Sequence, residues 1–277
     1  MTRRIVHDEF MCAEVPRSVS VDVRYEKRGR GDIEVVAIHG LGCSKESFDG
    51  LFTAPEAANA KILTLDLIGF GDSEKPEWFS YALTDQAKVV RAVIDLYDLT
   101  KIHVVCHSMG WAVGGILEQK IPEHIASFNS LEGLFLGDDD QYSRKADKFS
   151  LDDFKRFGFD EIKQSIRTLM DRFGPNPSLE YWLKYTEKTS PEAYHRSAKS
   201  FIHWCDDPAS LEWIRALPKK AAYFYGESNN LKQFKDTIEK LRGFVDLIPI
   251  SNANHFMMLD NPKEFYKRLF ERIESVK

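Results

Sequence analysis

The sequence predicts an α/β fold: a mostly parallel central sheet with helices on both faces and a helical insertion between two of its strands. Three observations carry this. Short apolar runs rich in branched residues alternate with helically periodic segments at both ends of the chain. From about Gly137 to Leu217 that alternation stops, and the sequence turns charged and aromatic with no convincing strand. The 277 residues, 43% of them hydrophobic, suffice for one large core with an inserted lid or for two ordinary domains.

Taken in order, Ser18–Tyr25 alternates polar and apolar residues and reads as a strand. Ile33–Ile38, Lys61–Leu67 and Ile102–Cys106 are short, mostly apolar runs rich in branched residues, as expected of strands buried on both faces. Between the last two, Ala87, Val90, Val93, Ile94 and Tyr97 recur at helical spacing, predicting a helix over Thr84–Leu99 capped by Thr84 or Asp85. Met109–Lys120 reads as a helix stopped near Ile121-Pro122, and Ala126–Leu131 as a strand. Later come a strand at Ala221–Tyr225, a helix at Leu231–Leu241, a strand at Phe244–Ile250 and a final helix at Lys263–Val276. The expected division is a core of residues 1–136 and 218–277, with 137–217 as a helical lid.

Composition excludes several classes. A net charge of −5, with no basic stripe interleaved with aromatics, argues against a nucleic-acid partner. Cys12, Cys43, Cys106 and Cys205 are far apart with no CxxC spacing, so neither a disulfide framework nor a metal site is expected. Met1–Val15 carries Arg3 and Arg4 but no apolar stretch after them, so no signal peptide is expected. No run approaches the ~18 apolar residues of a membrane span. Free thiols and these absences point to a cytoplasmic protein.

The strongest chemical signal is VVCHSMGWAVGG. A buried strand ends at Cys106, Ser108 stands on a tight turn, and a helix begins at once. A serine there sits beside free backbone N–H groups that favour developing negative charge. The elbow pattern G-x-S-x-G is met except that Cys106 replaces the first glycine. A helix cap is the competing reading of Ser108. His39-Gly40-Leu41-Gly42 after the first buried strand, the glycine-rich Asp66–Ser73 and the late His255 weigh against it.

HGLG, DLIGFGDS, CHSMGW and NANHFMMLDNP stand in an order and spacing that resemble the α/β-hydrolase fold over nearly the whole chain. The resemblance implies Ser108 as nucleophile, His255 as general base, and backbone N–H groups of Leu41 and Met109 as the oxyanion hole. The family's usual acid, after the penultimate strand, falls on Asn229, which carries no charge. Glu132, at the end of the strand after the nucleophile helix, resembles the arrangement of members that carry the acid there; Glu227 and Asp246 stay as alternatives. His203 and Trp204 are candidates for the lid side of the pocket. The reaction implied is hydrolysis of a carboxylic ester with a small or medium apolar acyl group, without metal or organic cofactor. C–C bond hydrolysis, lyase or perhydrolase chemistry on the same triad, and a ligand-binding paralogue with an idle site, are the alternatives.

Overall fold

The computed structural model describes residues 2–12, 15–135, 141–174, 176–217 and 220–276. Its strands are β1 (Thr2–Cys12), β2 (Val15–Arg28), β3 (Ile33–Ile38), β4 (Ala60–Leu65), β5 (Ile102–His107), β6 (Ile125–Leu131), β7 (Ala221–Gly226) and β8 (Asp246–Ile250). They form one eight-stranded sheet in the order β1-β2-β4-β3-β5-β6-β7-β8. The first two pairings are antiparallel. Every pairing from β4 through β8 is parallel. The α/β fold with a mostly parallel sheet therefore holds. It gains β1, a strand in the segment where no element was expected.

The apolar runs are explained by burial on both faces. In β3, Val36 and Ile38 join one core while Val35 and Ala37 join the other. The first core is shared with α1 (Leu83–Asp95) and α2 (Gly110–Lys120). The second packs against the C-terminal helix through Phe265, Leu269 and Ile273. The expected helix at Thr84–Leu99 starts one residue early and is capped by neither candidate. Its N-cap is Ala82, without a side-chain bond, and Asp85 is buried, accepting from the Ser80 hydroxyl at 2.5 Å.

Helices fill the stretch between β6 and β7: α3 (Gln141–Asp147), α4 (Leu151–Asp153), α5 (Phe159–Phe173), α6 (Pro177–Glu187), α7 (Pro191–Asp206) and α8 (Pro208–Arg215). A π-helical turn, Phe154–Gly158, joins α4 to α5. Three of these helices begin with a polar cap followed by proline. The Asn176, Ser190 and Asp207 side chains each accept a first-turn N–H, and Pro177, Pro191 and Pro208 need no donor partner there. The aromatics mostly pack among themselves, as where Phe154 stacks on Tyr194 at 5.9 Å. The core–lid boundaries expected at 136/137 and 217/218 fall at or beside positions outside the described residues. After β7 come α9 (Lys232–Leu241), α10 (Met257–Asp260) and α11 (Pro262–Ser275). Among the described residues no helix is long and apolar enough to cross a membrane. Cys43, Cys106 and Cys205 are buried; the Cys12 side chain lies outside the described ones.

Candidate active site

Parallel pairing brings the C-terminal ends of β5 to β8 side by side, and the candidate residues stand just past them. Ser108 follows β5 with φ +49°, a left-handed conformation that strains any residue bearing a Cβ. Its N–H extends the ladder to Leu131 O at 2.9 Å. The next two strands repeat the device: Glu132 follows β6 with φ +47°, and its N–H reaches Phe224 O at 3.1 Å. Strain at two adjacent strand exits is held by the ladder around it. Packing also accounts for the off-pattern Cys106. A Cβ on Gly114, one turn into α2, would come within 2.3 Å of the Cys106 sulfur. Glycine at that position therefore makes the room that the missing first glycine of the elbow does not. Gly110 is equally constrained, since a Cβ there would lie 2.4 Å from Ile38 O.

The turn after β3 leans on the elbow. A Cβ on Gly40 would sit 3.0 Å from that of Ser108. The Leu41 and Met109 N–H groups donate to no acceptor among the described residues. His39 anchors this turn: Nδ1 donates to Gly40 O at 2.8 Å and Nε2 accepts the Leu67 N–H at 3.0 Å. Burial lowers its pKa to about 4, so the ring stays neutral. Asp66 pins the opposite loop, accepting from the Lys45 and Asp72 N–H groups at 2.7 and 2.9 Å. Burial raises its pKa to about 6.

These two groups oppose each other in acid. His39 titrates at about 4 in the folded chain and 6.5 otherwise, so its stabilisation is full above pH 6.5 and is lost as pH falls towards 4. Asp66 has a raised folded pKa, so it adds stability as pH falls from 6 towards 4. His39→Gln keeps a donor and an acceptor but removes the titration. Urea unfolding at pH 7 and pH 5 is expected to show the wild type losing about 2 kcal/mol more than the variant across that interval. Equal losses would refute the assignment.

His255 lies in the turn after β8, its side chain 28% exposed, and its Nδ1 donates to Glu132 Oε2 at 2.8 Å. Glu132 is fully buried and accepts two further donors: Gly226 N–H on Oε1 at 2.9 Å and Asn229 Nδ2–H on Oε2 at 2.7 Å. The loop that carries His255 is itself tied down. His107 Nε2 donates to His255 O at 3.0 Å, and Asn254 N–H donates to Asp260 Oδ2 at 2.8 Å. The other Asp260 oxygen accepts the Ser178 hydroxyl from α6. The two alternative acids stand elsewhere. Glu227 is exposed, and Asp246 opens β8 at the far end of the sheet, where Arg272 holds it at 3.1 Å.

Ser108 and His255 open into one cavity of about 350 Å³, whose wall is largely apolar. Leu169, Phe173, Leu179 and Trp182 come from the insertion, Leu134 follows β6, and Phe234 comes from α9. His203 and Trp204 are not in this wall, which corrects the expectation placed on them. The inward face of α7 is Ala198, Phe201 and Cys205, leaving His203 exposed. Trp204 turns instead to Trp111 and Trp213, with ring centroids 5.8 and 6.1 Å away. Sequence reasoning missed the Asn229, His107 and Asp260 contacts, because the motifs that hold these residues do not say which side chains meet across the fold. Among the described residues no three His, Cys, Asp or Glu side chains are grouped to hold a metal ion.

The profile of the alpha/beta hydrolase fold family matches residues 34–262. The chain is 34% identical over 99 residues to Probable lysophospholipase BODYGUARD 5 of Arabidopsis thaliana, covering 34% of this chain and 22% of that one. It is 32% identical over 115 residues to the dihydrolipoyllysine-residue acetyltransferase component of the acetoin cleaving system of Pseudomonas putida, covering 41% and 30%. The chain thus spans less than a third of the length of these curated relatives. Among solved structures, a thermophilic esterase of Thermogutta terrifontis superposes with a TM-score of 0.77 at 17% identity, over 99% of both chains. A carboxylesterase of Nitrososphaera gargenis gives 0.75 at 17% identity, over 93% and 96%. Epoxide hydrolase CorEH gives 0.70 at 14% identity, over 99% and 100%, so likeness at this level carries the fold and not the reaction. With the family's profile matched from β3 to the start of α11, the chain belongs to the alpha/beta hydrolase fold family.

Proposed function

We propose that this chain is a serine hydrolase that cleaves a carboxylic ester of a small or medium apolar acyl group. The observation that carries the reading is the 2.8 Å bond between His255 Nδ1 and a fully buried Glu132, in a cavity that also opens on the strained Ser108. Accepting at Glu132 fixes the proton on Nδ1 and leaves Nε2 as the base. In this reading His255 takes the Ser108 proton as the hydroxyl attacks the ester carbonyl. The Leu41 and Met109 N–H groups, which have no other acceptor among the described residues, hold the oxyanion. His255 then protonates the departing alcohol and activates water to release the acid, and Glu132 stabilises the imidazolium in both steps.

The cavity's size and apolar wall support a modest acyl chain. Helices α3 to α8, within residues 137–217, act as the lid in this proposal, because they contribute much of that wall. The esterases and lysophospholipase among the similar proteins favour an ester bond over the C–C alternative. The buried Cys43 and Cys106 thiols fit a reducing, cytoplasmic setting. A p-nitrophenyl ester series from acetate to decanoate, together with a fluorophosphonate probe, tests the reading. Turnover and labelling at Ser108 are expected. Neither turnover nor labelling would leave the idle-site alternative standing.

A further inference from the structure

We propose that Asn229 is a positioning residue of this site: its amide locks the Glu132 carboxylate onto His255, so the loop after β7 supplies a donor where other members of the fold place a charge. The proposal rests on the serine-hydrolase reading above. The local chain explains how Asn229 gets there. β7 ends at Gly226, the backbone turns, and Asn229 N–H closes the turn on Gly226 O at 3.0 Å. Gly226 has no room for a side chain, since a Cβ would lie 2.3 Å from Ala253 O in the His255 loop. The turn is therefore pressed against both the acid and the base.

The amide's orientation is set by its neighbours. Leu231 N–H donates to Asn229 Oδ1 at 3.3 Å, which leaves Nδ2 to donate to Glu132. Nδ2 reaches Oε2, the same oxygen that accepts His255 Nδ1–H, while Gly226 N–H holds Oε1. A carboxylate held through one oxygen can rotate about its last bond. Donors on both oxygens fix its plane, and with it the direction of the imidazole. All three partners are N–H groups, so the pocket around Glu132 accepts one carboxylate and no second acceptor. That arrangement accounts for an amide at position 229 rather than an acid.

Other titratable groups face the pair. His107 has its ring 4.6 Å from His255, and burial together with His255 holds it neutral, well below the usual imidazole range. Asp260 is tied to Asn254 and Ser178, Glu227 is exposed, and Cys43, Tyr142 and Tyr194 line the cavity, with burial pushing the Cys43 thiol up. None of them changes in the following test. Asn229→Asp keeps the shape and the Oδ1 acceptor but replaces the donor with negative charge beside Glu132 and His255. The acid limb of the kcat/KM profile is expected to move up by about one pH unit or more, because added negative charge favours the imidazolium. Asn229→Ala deletes the donor, together with the Oδ1 that accepts the Leu231 N–H. Its kcat is expected to fall about tenfold, with KM within about twofold of wild type, since Asn229 is not in the cavity wall. Glu227→Gln, in the same turn, leaves both quantities unchanged.

Wild-type kcat in Asn229→Ala together with an unmoved acid limb in Asn229→Asp overturns the proposal. If Asn229→Asp does not fold, the kcat of Asn229→Ala decides alone. A wild type that is labelled at Ser108 while both variants match it leaves the hydrolase reading intact and removes only the role of Asn229. A wild type that neither turns over nor labels removes both.

Discussion

Ser108→Ala is expected to lower kcat on p-nitrophenyl esters by on the order of 10⁵-fold and to abolish fluorophosphonate labelling, with KM little changed. The expectation follows from what the side chain is placed to do. Its Oγ is the only hydroxyl on the elbow, so in the proposed mechanism its loss removes the covalent route and leaves binding and the oxyanion donors, which by themselves accelerate poorly. The fold should survive, because Ser108 is held through its backbone, by the 2.9 Å bond to Leu131 O and by the start of α2. A second substitution separates strain from chemistry. At φ +49° a Cβ is unfavourable and glycine is not, so Ser108→Gly should be equally inactive but about 1 kcal/mol more stable than Ser108→Ala. Activity within tenfold of wild type in either variant would place the nucleophile elsewhere.

The parts of this molecule that sequence made legible are those whose physics is local or periodic. Strands β3 to β6 stand out because burial on both faces favours apolar residues at successive positions, as Val35, Val36, Ala37 and Ile38 illustrate. Ser108 and His39 are marked by tight turns that need small neighbours. The vacancy at Asn229 was visible, and so was the presence of a carboxylate at Glu132. What could not be read was that the two touch. Their bond depends on β6 and β7 pairing in the register Phe128↔Ala221 through Leu131↔Phe224, which brings two chain segments 97 positions apart to one oxygen. Helical phase within the insertion was equally hidden. His203 and Trp204 have the chemistry of pocket residues, but α7 turns its small and apolar positions inward and points Trp204 at Trp111. The actual wall, from Leu169 to Phe234, is ordinary apolar sequence with no mark of function. β1 escaped because its antiparallel partner, β2, is what makes it a strand.

Glu132→Gln is the other variant expected to have a very large effect, with kcat lower by on the order of 10³ to 10⁴-fold and KM little changed. The substitution preserves volume and removes two things at once. The charge that, in the proposed mechanism, stabilises imidazolium during proton transfer is gone. The acceptor count also falls, because Gly226 N–H, Asn229 Nδ2–H and His255 Nδ1–H all point at carboxylate oxygens, and an amide offers only one. If the Gln oxygen stays with Gly226, its NH₂ faces two donors, and His255 is driven to the tautomer with its proton on Nε2, the nitrogen that must act as base. If it flips, the Gly226 N–H is left buried without a partner, at a cost of about 1–3 kcal/mol in stability. Either way the base is misassigned or the site is strained, which is why the loss should exceed that of Asn229→Ala by an order of magnitude or more. Glu227→Gln and Asp246→Asn serve as the comparison: one is solvent-exposed and the other sits at the opposite end of the sheet against Arg272, so each should stay within about twofold of wild type. Losses of similar size in Glu132→Gln and Glu227→Gln would mean that the 2.8 Å contact is structural and that the imidazole takes its charge partner from the solvent side instead.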